Sequence, residues 1–107
     1  MATLTATTAA VTGTTFTPAS AAGGGDKFLN YGNERLYIQN GGGSDITLTI
    51  APGGTPGGLD LADIAITVAA GAEMIVGPFN PQYFNDSSGY VNLTYSGVTT
   101  VTVAVIN

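Results

Sequence analysis

Cysteine, histidine and tryptophan are absent from this sequence, and cationic side chains nearly so: Lys27 and Arg35 stand against seven Asp and Glu in 107 residues. Without cysteine no disulfide framework can form, and the redox compartment leaves no mark on the sequence. Without cysteine or histidine, zinc, haem and copper lose their usual ligands. No metal site and no cofactor is therefore expected. A serine nucleophile would have no imidazole base, which leaves only a Ser–Lys arrangement. Lys27 follows Gly-Gly-Gly-Asp and has no Ser-x-x-Lys pattern around it. Two cations cannot neutralise a run of phosphates, and the net charge of −5 opposes contact with any polyanion. Neither nucleic acid nor an anionic membrane surface is an expected partner.

Long apolar runs are missing too, so no segment reads as a membrane span. The opening Met1-Ala-Thr-Leu-Thr-Ala-Thr-Thr lacks the basic and apolar regions of a secretory signal, and synthesis in a cytoplasm is expected. Charged residues make up 8% of the chain, against about a quarter in ordinary globular domains. The surface must then consist largely of Thr, Asn, Ser, Gly and backbone, which suits a subunit of an assembly or a protein outside a cell. No helix-length amphipathic period occurs anywhere.

What is present is glycine, 16 residues of it, abundant threonine, and short alternating segments. Leu36 and Ile38 alternate with Arg35, Tyr37 and Gln39. Ile46, Leu48 and Ile50 alternate with Thr47 and Thr49. The same period recurs with Ile64, Ile66 and Val68, with Val91, Leu93 and Tyr95, and with Val101, Val103 and Val105. Glu73 to Phe79 reads as a further strand, ended by Gly-Pro, and 80–83 as one irregular or 3₁₀ turn. Gly, Pro and Asn turns separate these segments, and 51–60 reads as an exposed loop. The expectation is an all-β fold, a small β-sandwich of jelly-roll-like type, in which two layers let each sheet cover the other. Residues 1–25, rich in Thr, Ala and Gly, read as an extended N-terminal arm with a short edge strand at Phe16-Thr17. Residues 26–107 read as the sandwich domain.

No constellation points to catalysis, and the chain reads as a non-enzyme. The carboxylates fall mostly at turns and strand starts, where Asp accepts backbone N–H groups. Asp60 and Asp63 could join loop carbonyls around calcium, but their spacing is not that of an EF-hand. The triplet glycines lack the lysine and strand–helix setting of a phosphate loop. Asn92-Leu93-Thr94 matches a glycosylation acceptor but falls in mid-strand. Tyr31, Tyr37, Tyr83, Tyr90 and Tyr95 could stack sugars, and the alternative is that Tyr37 and Tyr95 cover a sheet edge or a subunit interface.

Several stretches taken together resemble small structural proteins of tailed bacteriophages, of the capsid decoration or cement kind. They are Gly24-Gly25-Asp26-Lys27-Phe28-Leu29-Asn30, Arg35-Leu36-Tyr37-Ile38-Gln39-Asn40-Gly41-Gly42, Val68-Ala69-Ala70-Gly71-Ala72, Gly77-Pro78-Phe79, Phe84-Asn85-Asp86 and Val91-Asn92-Leu93-Thr94-Tyr95-Ser96. The likeness spans about residues 11–106 and is one of pattern. It implies a virion protein on the outer capsid surface that forms a homotrimer, binds the major capsid protein and stabilises the head. It also implies an N-terminal arm that reaches a neighbour and orders on assembly. Phe16, Lys27, Phe28, Arg35 and Phe79 are the interface residues it suggests. A tail or head-completion component and a carbohydrate- or cell-surface-binding module are the alternatives.

Overall fold

The computed structural model describes residues 2–53, 58 and 62–107. The strands are β1 (Ala2–Leu4), β2 (Ala6–Thr7), β3 (Ala19–Ser20), β4 (Asp26–Leu29), β5 (Arg35–Asn40), β6 (Ile46–Ala51), β7 (Ile64–Val68), β8 (Glu73–Val76), β9 (Tyr90–Tyr95) and β10 (Val101–Ile106). A single helical turn, α1 (Pro81–Phe84), joins β8 to β9. The first sheet has the order β1-β4-β9-β6-β7, and the second has β2-β10-β5-β8, with β3 also on β10. All pairings are antiparallel except β1 with β4 and β2 with β10. The molecule measures 40 × 36 × 19 Å, and the shortest extent is that of two stacked sheets. It is thus an all-β, mostly antiparallel two-sheet structure of the β-sandwich kind.

Side-chain alternation creates the core. Every second residue of a strand faces the same side. Phe28, Leu48, Ile50, Val91 and Leu93 of the first sheet meet Leu36, Ile38, Val103 and Val105 of the second, all essentially without solvent exposure. Burying one such side chain stabilises the fold by about 1.5–3 kcal/mol. Phe79 closes one end of this core, its ring centroid 5.7 Å from that of Phe28 and 5.6 Å from that of Phe84.

Polar side chains finish what the strands cannot. Asn40 has no exposed surface; its amide donates to the carbonyls of Ser44 (2.8 Å) and Val68 (3.1 Å), and its oxygen accepts from Gly42 N–H. One side chain therefore holds the β5–β6 turn against the end of β7. Asn30 does the same at the other end, donating to the Phe79 carbonyl (3.0 Å) and to Asn85 Oδ1 (2.8 Å). Asn80 caps α1 by accepting from Gln82 N–H, and Pro81 occupies the first helical turn, where its missing N–H costs nothing. That capped turn replaces the irregular one expected at 80–83. Gly25 lies at φ +95°, and a Cβ there would collide with the Leu93 carbonyl, so the approach of chain 25 to β9 requires glycine.

Several sequence expectations change. The stretch 1–25 contributes three short strands to the two sheets. Phe16-Thr17 is not a strand; the edge pairing falls three residues later, at Ala19–Ser20. β8 stops at Val76, short of Phe79. Ile64, expected inward, is 40% exposed, whereas Val68 at the other end of β7 is fully buried. Much of the expected 51–60 loop, Asp60 included, lies outside the described residues. Among the described residues no helix is long and apolar enough to cross a membrane.

Candidate functional site: the outer face of the second sheet

The second sheet turns Arg35, Tyr37 and Gln39 of β5 away from the core, because Leu36, Ile38 and Asn40 take the inner side. Register then sets their neighbours. Tyr37 pairs with Ile75, Gln39 with Glu73, and Arg35 with Ile106. From the segment between β2 and β3, Phe16 lays its ring edge-on against Tyr37, the centroids 5.5 Å apart. The result is a contiguous apolar strip, Phe16–Tyr37–Ile75, with Ile75 62% exposed. A carboxylate, Glu73, flanks one end and a guanidinium, Arg35, the other. Phe16, Arg35 and Ile106 border a shallow hollow at the Arg35 end.

The polar rim is internally bonded. Tyr37 Oη donates to Glu73 Oε2 (3.1 Å), and Gln39 Nε2 donates to Glu73 Oε1 (3.4 Å). Burial, the bond to Glu73 and the charge of Glu73 all push the Tyr37 phenol above its ordinary range. The phenol is therefore a neutral donor at physiological pH. Such a face offers shape, apolar area and a few oriented hydrogen bonds, which are the components of a protein-binding surface. It holds no nucleophile–base pair. Among the described residues no group of three or more Asp or Glu is placed to hold a metal ion.

Of the five residues singled out from sequence, Phe16 and Arg35 meet on this face. Lys27 lies on the outer side of the other sheet, its ammonium 4.5 Å from the centroid of the Tyr90 ring. Phe28 and Phe79 are in the core at 0% and 3% exposure, so neither ring is presented to a partner. Ile75 escaped the sequence because Glu73-Met74-Ile75-Val76 has apolar residues at both parities, and alternation cannot say which side faces out.

The five tyrosines are scattered. Tyr31 is 76% exposed in the turn before β5, Tyr83 lies on α1, and Tyr90 faces out beside Lys27. Tyr95 points inward and donates to the buried Asp26 at 2.7 Å. Asn92 donates to Asp86 Oδ2 (3.0 Å) from the middle of β9. Asp63 is exposed, and Asp60, its suggested partner for calcium, is outside the described residues. No family model, curated protein or solved structure matches the chain.

Proposed function

We propose that this protein is a non-catalytic structural subunit, a capsid decoration protein that docks on a protein lattice through the outer face of its second sheet. The observation that carries this reading is the Phe16–Tyr37–Ile75 strip, exposed on a chain with very few charges and bordered by Arg35 and Glu73. An apolar centre with a sparse polar rim is how protein interfaces are built. The scarcity of charge suits a molecule whose neighbours, not its solvation, keep it dispersed. The major capsid protein on the virion's outer surface is the partner implied.

In this reading the part of the 1–25 arm that reaches a neighbour is 10–15, ahead of Phe16, all of it exposed and Val11 entirely so. Its ordering on a neighbour would offset the entropic cost of fixing it only when the complex forms. The sandwich would then belong to the jelly-roll-like group used by such proteins.

The test is direct. Purified protein is mixed with capsids that lack it, and the particles are imaged. Ordered added density is expected, and Ile75→Asp or Tyr37→Ala is expected to abolish it while leaving the circular dichroism spectrum unchanged. Val11→Asp tests the arm without touching a strand. Deleting residues 1–20 would not, since it removes β1, β2 and β3. Full binding by Ile75→Asp, or a glycan-array signal in place of capsid binding, would sink the reading.

A further inference from the structure

β7 differs from the other strands at the margins of the sheets. It pairs along its whole length with β6 and, among the described residues, with nothing on its other side. Its sequence, Ile64-Ala65-Ile66-Thr67-Val68, has no charge and no proline, and the register to β6 runs unbroken from Val68 to Ile64. Open strand edges are ordinarily blunted by charge, proline, bulges or shortness, because their unpaired N–H and C=O groups template pairing with another chain. The other margins have such devices. β8 carries Glu73 and stops just before Gly77-Pro78, while β1, β2 and β3 have three residues or two.

The ladder shows which groups face outward. Ser96 N–H donates to the Thr47 carbonyl at 3.0 Å, so Thr47 and Thr49 turn their backbone to β9. Alternation gives Ile46, Leu48 and Ile50 to β7, where they meet Val68, Ile66 and Ile64. The N–H and C=O groups of Ala65 and Thr67 therefore point away from the sheet, and both side chains are exposed. On the inward side, cover falls along the strand: Val68 is buried, Ile66 half-buried, and Ile64 exposed beside an apolar groove formed with Pro52, Tyr83 and Phe84.

We infer that β7 pairs antiparallel with β7 of a second copy, about a two-fold axis at Ile66. Ala65 then faces Thr67 of the copy, and the outward N–H and C=O groups of both are satisfied in each half. Ile64 faces Val68, so the exposed end of one strand lies against the covered end of the other. The partner is a second copy because the strand complements itself, as an isologous contact requires. No acidic side chain of the strand meets its own copy, although the chain as a whole carries −5. Asp63, the nearest, falls opposite Ala69, beyond the paired segment. The assembly built this way is even-numbered, whereas the bacteriophage resemblance implies a trimer.

Sedimentation equilibrium of the full chain over a concentration series tests this. A reversible monomer–dimer equilibrium is expected. Ala65→Lys with Thr67→Lys places lysines opposite each other across the axis, yet leaves them in solvent in the monomer. It should weaken the dimer roughly tenfold or more. Thr67→Pro removes one outward N–H at a position where an edge tolerates proline, and should act in the same direction. Spin labels on Thr67→Cys, the sole cysteine of that variant, should report the close diagonal spacing of adjacent strands, about 7–8 Å between backbones. A monomer at all concentrations, a trimer, or a dimer indifferent to both edge variants would overturn the inference. Capsid docking through the other sheet would stand or fall separately, on Ile75→Asp.

Discussion

Replacing Tyr95 with Phe removes one oxygen and tests what holds a buried carboxylate in place. Asp26 has no exposed surface. Its Oδ2 accepts from the Tyr95 hydroxyl at 2.7 Å and from the Ala22 amide at 3.3 Å, and its Oδ1 has no partner among the described residues. A hydrogen bond to a charged group contributes about 1.5–3 kcal/mol net, and leaving such a group unsatisfied costs more than a neutral one. The hydroxyl supplies the shorter of the two bonds, while the ring, which Phe retains, packs against the core. The expected loss is about 2–3 kcal/mol. At about 4–8 °C per kcal/mol for a domain near this size, Tm should fall by roughly 10–20 °C. Urea titration and thermal melting followed by circular dichroism give both numbers. Asp26→Ala combined with Tyr95→Phe should cost less than the sum of the single changes, because no carboxylate is then stranded. A loss below about 0.5 kcal/mol for Tyr95→Phe, or strict additivity in the double variant, would refute the account.

The same pair gives an alkaline prediction. Burial first, then the bond to Asp26 and the charge of Asp26, hold the Tyr95 phenol far above its usual range. The unfolded chain therefore loses that proton first, and stability present below about pH 10 should decline as pH rises further; a flat profile to pH 11 would contradict this. In acid the sign reverses. Burial alone would raise the Glu34 carboxyl, but donation from Tyr31 N–H (2.6 Å) and from the Asn107 side chain (3.1 Å) outweighs it and holds the group below its usual value. Its contribution is present above about pH 4–5 and lost as pH falls through the folded value, so Glu34→Gln should flatten the acid limb of the stability curve. Asn40→Ala strands two carbonyls and one N–H and should cost about 2–4 kcal/mol by denaturant titration, whereas an effect under about 1 kcal/mol would mean the turn finds other partners.

Strict alternation was enough to place Leu36, Ile38, Leu48, Ile50, Val103 and Val105 in the core, and all are buried. It failed where the deciding contact is remote. Asp26 and Phe28 share the inward face of β4, but a carboxylate there makes sense only once Tyr95, far along the chain, donates to it. β1, β2 and β3 are too short for any period; their pairing is set by the edges of β4 and β10. Ile64 keeps the inward parity of its strand yet lies where the cover thins. At the candidate face, Phe16 and Arg35 could be suspected individually, but only register and the path of 8–18 bring them to one hollow. Phe28 and Phe79 stand among the expected interface residues only through a likeness of pattern, which says nothing about depth.

The parallel pairing of β2 with β10 has a temporal consequence. Ala6 and Thr7 are synthesised long before their partners, Val105 and Ile106. Through Thr5 the same segment also reaches β1, on the opposite sheet. The sandwich cannot shut along this side until β10 has left the ribosome. Contacts between residues so distant in sequence also close slowly. The nascent sandwich thus waits with this margin of its second sheet open, and β2 acts as a latch that β10 must arrive to catch.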